Sequence, residues 1–195
     1  NDLSTFPSFA SCIIQNNSVS FGIGGGIACA SWSSPSITAC TVAGNTAVTK
    51  DGGGIACKVN SSPSIVSTIV ENNTAAFHGG GIFTQTNTSV MSSCTVMGNM
   101  AAEGGGIACK VSSPTISGCR VSNNTASNDG GGLHCSSSSF PTLTNCTISG
   151  NEAMASGGGI YTSGGSSPEV STTLWCANSP SHYSGSWGNS GGNEF

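Results

Sequence analysis

The chain has 195 residues, of which only 6% are charged, 4 Lys+Arg against 8 Asp+Glu, where an average soluble domain carries about 25%. A net charge of -4 with four scattered basic residues cannot build the cationic footprint that neutralises nucleic-acid phosphates or docks on anionic lipid, and no apolar run approaches the roughly 18 residues that span a bilayer. Nucleic acid and membrane insertion are therefore excluded, and hydrophobic residues making up 36% of the chain in regular positions argue against disorder.

Along the chain, the opening NDLSTFPSF has neither the basic start nor the apolar stretch of a signal peptide, which leads us to expect a removed leader or a fragment. From there two signatures alternate. One is a glycine triplet followed by Ile or Leu, beginning at Gly24, Gly52, Gly79, Gly104, Gly130 and Gly157. The other runs FPSFASCIIQNN, SPSITACTVAGN, SPSIVSTIVENN, SVMSSCTVMGN, SPTISGCRVSNN, FPTLTNCTISGN and SPEVSTTLWCAN. Stacking the copies gives three apolar columns: Ile27, Ile55, Ile82, Ile107, Leu133, Ile160; then Phe9, Ile37, Ile65, Met91, Ile116, Leu143, Val170; then Ile14, Val42, Val70, Val96, Val121, Ile148, Trp175. Each sits in a short alternating stretch, too short for a helix and right for a strand. Like strands recurring at a fixed period pair best in parallel with their counterparts in the next turn, about 4.8 Å away. The pattern predicts an all-β parallel β-helix over 1–178, of about seven turns with 25–28 residues each and three strands per turn.

An Asn column, Asn17, Asn45, Asn73, Asn99, Asn124, Asn151 and Asn178, recurs at one bend. Amides stacked in register can bond one another and the free backbone groups of that bend, so these residues are expected to form a structural ladder.

The GGGI and [VIW]xxN pairs resemble the GGA[ILV] and FxxN repeats of chlamydial polymorphic outer-membrane proteins, and more broadly the right-handed β-helix repeats of the pectin-lyase-like superfamily. The resemblance covers about residues 7–178. It implies a right-handed coil and leaves function open, because that architecture carries adhesins, lyases, hydrolases and spacers.

Cysteines occupy two columns interrupted by Thr: Cys29, Cys57, Thr84, Cys109, Cys135, Thr162, and Cys12, Cys40, Thr68, Cys94, Cys119, Cys146, Thr173. Pairing each member of the second column with the first-column residue that follows it gives Cys12–Cys29, Cys40–Cys57, Cys94–Cys109 and Cys119–Cys135, with Thr68 and Thr84 lost together. Cys146 and Cys176 remain as a fifth bridge. A ladder of buried free thiols is the alternative. Disulfides would imply a secreted or surface protein. Sequons at Asn16, Asn60, Asn72, Asn87, Asn123 and Asn145 agree with that compartment, and Asn16, Asn72 and Asn123 share one column, as a glycan stripe would.

Catalytic chemistry is thinly provided for. Asp51, Glu103 and Asp129 share the position before the glycine triplet with His78 and Ser156, and of the three carboxylates only Glu103 and Asp129 stand in adjacent turns. Solvated turn residues are the simpler reading. His78, His134 and His182 fall at unrelated depths in the repeat, and no Cys-x-x-Cys or G-x-S-x-G occurs. No catalytic residue, metal site or cofactor is expected. The last stretch, 179–195, with Tyr183, Trp187 and Phe195 among Gly and Ser, leaves the repeat and is expected to be a linker, cap or docking arm.

The sequence thus leads us to expect a non-enzymatic extracellular rod: a spacer, adhesin or filament subunit that self-associates or meets other extracellular proteins and glycans. Ice binding on the Ser/Thr-rich strand face is the first alternative, and a carbohydrate-active or carbohydrate-binding β-helix the second.

Overall fold

A computed structural model describes residues 6–194. Residues 1–5 and 195 lie outside the described residues, and with them Phe195 of the tail. All regular elements among the described residues are strands, wound as the parallel β-helix that the repeat implies. One coil shows the pattern: Ser36–Thr38, Thr41–Ala43, Thr46–Ala47 and Ile55–Cys57. Their counterparts in successive coils stack into four parallel sheets, here A to D in chain order. Sheet A runs from Ser8–Ala10 to Gly188–Asn189, B from Ile13–Gln15 to Leu174–Cys176, C from Ser18–Val19 to Glu152–Ala153, and D from Ile27–Cys29 to Tyr183–Ser184.

Sheet C corrects the expectation of three strands per turn. Its strands have two residues, and their inward column is Val19, Ala47, Ala75, Ala101, Ala126 and Ala153. One small residue per strand leaves no alternation to read. The large apolar columns face inward in sheets A, B and D and form one continuous core. Residues such as Ile37, Ile65, Val70, Ile82 and Ile148 are fully buried, and truncating one of the aliphatic Ile or Leu side chains to Ala would cost about 2–5 kcal/mol.

The glycine triplets are needed for three separate reasons, which the second coil illustrates. Gly52 has φ +69°, a Cβ on Gly53 would lie 2.4 Å from the Gly80 carbonyl oxygen, and one on Gly54 would lie 2.7 Å from that of Gly81. The first glycine turns the chain through the left-handed region. The other two let neighbouring coils meet backbone to backbone.

Bonds between coils hold the bends. Each ladder Asn donates its backbone N–H and its Nδ2 to the Oδ1 of the next, from Asn17 to Asn178, at 2.9–3.1 Å. From Asn45 onward, Nδ2 also donates back to a carbonyl of the preceding coil, as Asn99 does to Val70 at 2.9 Å. Six of the seven are buried and Asn17 is exposed.

At the far end the segment after Asn178 adds strands Tyr183–Ser184 and Gly188–Asn189 to sheets D and A, making an eighth, partial coil. Trp175 takes the place of an aliphatic residue in the core column, and the Tyr183 and Trp187 rings close over it at 6.5 and 6.1 Å.

Candidate functional site

A group of ionisable residues gathers on the outer face of sheet D, while Glu71 and Arg120 lie in sheet B, Glu152 in C and Glu169 in A. Alternation turns the middle residue of each strand outward, giving the column Ala28, Ala56, Phe83, Ala108, His134 and Tyr161. Beside it runs the position before the glycine triplet, with His78 paired in register to Glu103 and Asp129 to Ser156. Across these columns the side chains form a continuous ridge. Lys58 Nζ donates to Asp51 Oδ2 at 2.9 Å, and His78 Nδ1 meets Asp51 Oδ1 at 2.7 Å. Glu103 Oε2 lies 3.3 Å from His78 Nε2 and 3.4 Å from His134 Nδ1. His134 stacks on Tyr161 at 5.4 Å, and Lys58 lies 4.9 Å above the Phe83 ring.

The electrostatics follow from burial and pairing. Burial alone would raise the Asp51 pKa, but hydrogen bonds from His78 and Lys58 outweigh it and hold it at about 2. Burial holds His134 down at about 4, helped by electrostatic repulsion from His78 and Lys110. With a side chain 5% exposed, the His134 imidazole is neutral at pH 7, and the nearby Glu103 carboxylate does not reverse this. Its Nδ1 is buried and makes no hydrogen bond of good geometry. Asp51, His78, Glu103 and His134 come from four successive coils, so the two imidazoles approach the Glu103 carboxylate from either side.

The histidines of unrelated repeat position are thus brought together, contrary to the sequence expectation. His78 and His134 occupy neighbouring outward columns, and only His182 lies apart, with its Nδ1 3.2 Å from Asn178 Nδ2. The signal was the alternation in I-A-C and L-H-C, which turns His134 to the same side as the residue before the triplet.

The disulfide scheme is also corrected. All ten cysteines are free thiols, so Cys12–Cys29, Cys40–Cys57, Cys94–Cys109, Cys119–Cys135 and Cys146–Cys176 are not formed. The thiols instead neighbour one another along each column: Cys29 pairs in register with Cys57 and Cys109 with Cys135, and the Cys94 N–H donates to Cys119 Sγ at 3.4 Å. In the second column, thiols donate to bend carbonyls, Cys94 to Ile65 and Ser92 at 3.3 Å each. Thr68 Oγ1 makes the same two bonds, to Ile37 at 3.3 Å and Val66 at 3.0 Å. Thr therefore stands in these columns as an equivalent small donor, and Thr68 and Thr84 do not mark a lost bridge.

Of the sequons, Asn16, Asn60, Asn72, Asn123 and Asn145 are exposed. Asn87 is buried, and its Nδ2 donates to the Cys57 and Gln85 carbonyls at 3.0 and 3.4 Å, which closes it to a glycan in the folded coil. The stripe has a backbone cause as well. Asn16, Gly44, Asn72, Gly98, Asn123 and Gly150 alternate in one column, all with φ between 54° and 64°, where Asn and Gly are the residues that tolerate it.

A second feature lies at the corner between sheets D and A. A shallow groove of about 470 Å³ is lined by Trp32, Asn60, Ser62, Thr86, Asn87, Thr88, Val111 and Ser113, without an ionisable side chain among them.

A continuous coil with large Ile, Val and Leu columns, amide ladders and glycine corners defines the class. The chain belongs to the right-handed beta helix family, whose model, described as a right handed beta helix region, matches residues 8–174. No curated protein and no solved structure matches the chain.

Proposed function

We propose that this protein is a non-enzymatic structural rod at the cell surface or outside the cell, a spacer, adhesin or self-assembling filament subunit. The observation that supports this most is the state of the ridge. Both ring nitrogens of His78 face carboxylates of the same chain, and Lys58 is held on Asp51. A general acid or base has to reach substrate with its exchangeable proton or lone pair, whereas these groups neutralise one another across successive coils. The five exposed sequons favour an extracellular setting, while the free thiols remove disulfides as an argument for it. Self-association is favoured by the exposed apolar side chains of Phe6, Ile13 and Phe21 on the first described coil.

Sedimentation and negative-stain microscopy test the reading. Concentration-dependent linear assembly is the expected result. A monomer at every concentration, together with polysaccharide cleavage that His78→Ala abolishes, would overturn it.

Ice binding has one observation in its favour. The outward residues of sheet A align in register as Ser36, Ser64, Val90, Thr115, Thr142 and Glu169, and as Thr38, Val66, Ser92, Ser117, Thr144 and Ser171. Val66, Val90 and Glu169 interrupt both ranks, and absence of thermal hysteresis would dispose of this reading.

A further inference from the structure

The corner between sheets D and A is built at a conformational cost that the fold itself does not require. In the sixth coil Gly164 and Gly165 make it, with φ 58° and 74°, and glycine takes that region without strain. Earlier coils place Trp32, Val59, Thr86 and Val111 there, with φ 69°, 55°, 53° and 50°. Bulky and β-branched residues are genuine outliers in the left-handed region. These side chains do not go into the core either. Trp32, Val59 and Val111 are 53%, 52% and 50% exposed, and Thr86 is exposed too. Strained backbone and exposed apolar surface coincide on one edge of the rod, and strain of this kind collects at ligand-binding positions.

The lining states what would fit. It joins the Trp32 ring and the Val111 side chain to the Asn60 amide and the hydroxyls of Ser62, Thr86 and Thr88, while the charged ridge lies on sheet D. An aromatic face with neutral hydrogen-bonding groups around it suits a ligand that is apolar on one side and hydroxylated at its rim. A ligand bearing carboxylates or phosphates would find no countercharge in the groove.

We propose that this groove binds an uncharged sugar, with Trp32 stacked on a pyranose face and the Asn60, Ser62 and Thr88 side chains bonding its hydroxyls. The assignment does not depend on the rod reading and adds a recognition edge to it. Because Asn60 is itself a sequon, the sugar could come from a separate glycan or from the chain's own, and protein made in a host without N-glycosylation separates the two.

That protein is titrated calorimetrically with neutral cello-, xylo-, malto- and chito-oligosaccharides, with oligogalacturonate as the charged control. The expected result is binding of a neutral oligomer that changes less than about twofold between low and high salt. Trp32→Ala weakens it at least about tenfold, and Val111→Gly weakens it while holding or raising Tm, because relieving strain offsets the added chain entropy. No binding of a neutral oligomer by the sugar-free protein, binding of oligogalacturonate alone, or affinity unchanged in Trp32→Ala would each overturn the proposal. So would a Trp32→Ala variant whose only effect is to dissociate an oligomer, since the groove would then be a contact between copies.

Discussion

Replacing Asn99 by Ala tests whether the amide ladder holds the coils together. In the fourth coil Asn99 Oδ1 accepts from the Asn73 N–H at 2.9 Å and from Asn73 Nδ2 at 3.0 Å. Its own Nδ2 donates to the Val70 carbonyl at 2.9 Å and to Asn124 Oδ1 at 3.0 Å. Asn99→Ala leaves the Asn73 N–H, one Asn73 amide hydrogen and the Val70 carbonyl without partners in a buried bend. Each orphaned group costs about 1–3 kcal/mol, so the variant should lose about 3–9 kcal/mol. At about 2–4 °C per kcal/mol for a chain of this length, Tm should fall by at least about 6 °C. Asn17→Ala is the control. It removes only the Asn17 Nδ2 bond to Asn45 Oδ1 at 2.9 Å, at the exposed end of the ladder, and should cost less than about 1 kcal/mol. Thermal and urea unfolding of both variants by circular dichroism measure the difference. Equal losses at the two positions would refute the ladder as a source of stability.

Three further outcomes follow from the same geometry. His134 is held at about 4 against an ordinary 6.5, so between those values the unfolded chain takes up a proton that the folded chain refuses. Stability should decline as pH falls from about 6.5 to about 4, by about 3 kcal/mol in total, and His134→Gln should flatten that part of the pH profile of urea unfolding. Cys94→Thr should retain the bend bonds that Thr68 makes and stay within about 1 kcal/mol of the parent, whereas Cys94→Val, which deletes the donor, should cost about 1–3 kcal/mol by the same assay. Gly53→Ala places a methyl 2.4 Å from the Gly80 carbonyl oxygen and 2.5 Å from that of Thr74. It should lose at least about 3 kcal/mol through backbone displacement; a Tm within a few degrees of the parent would contradict the close approach of coils at this corner.

The sequence was most legible where one residue type recurs at one position. Ile55, Ile82 and Ile107 announce a strand because a large apolar side chain repeats between glycine and a cysteine or threonine, and Asn45, Asn73 and Asn99 mark a bend. Sheet C was hidden because Ala47 and Ala75 fill their column with a single methyl, and hydrophobic alternation needs more than one residue of contrast. The cysteines misled for a chemical reason. Thr at position 68 reads as a missing bridge if the column is defined by sulfur, but the bend requires a small donor, which a thiol and a hydroxyl supply alike. Asp51, His78 and Glu103 were visible as a stack. His134 was not, since it belongs to the adjacent column and joins them only when the strand turns it outward.

The ladder also gives the rod a direction. From Asn45 to Asn151 each Asn passes its N–H and an Nδ2 hydrogen toward the later coil and receives those of the earlier one, so an interior coil is complete only with both neighbours present, as in other stacked-repeat architectures. The two ends of the described coil differ accordingly. At the late end Asn178 Oδ1 accepts from Asn151, while its Nδ2 meets the Ile148 carbonyl at 2.8 Å and His182 Nδ1 at 3.2 Å, and the Trp175, Tyr183 and Trp187 rings cover the core. At the early end Asn17 donates its N–H and Nδ2 to Asn45 Oδ1. An interior coil such as that of Asn99 therefore presents an amide acceptor to the earlier coil and amide donors to the later one, so the ladder runs in one sense along the described rod.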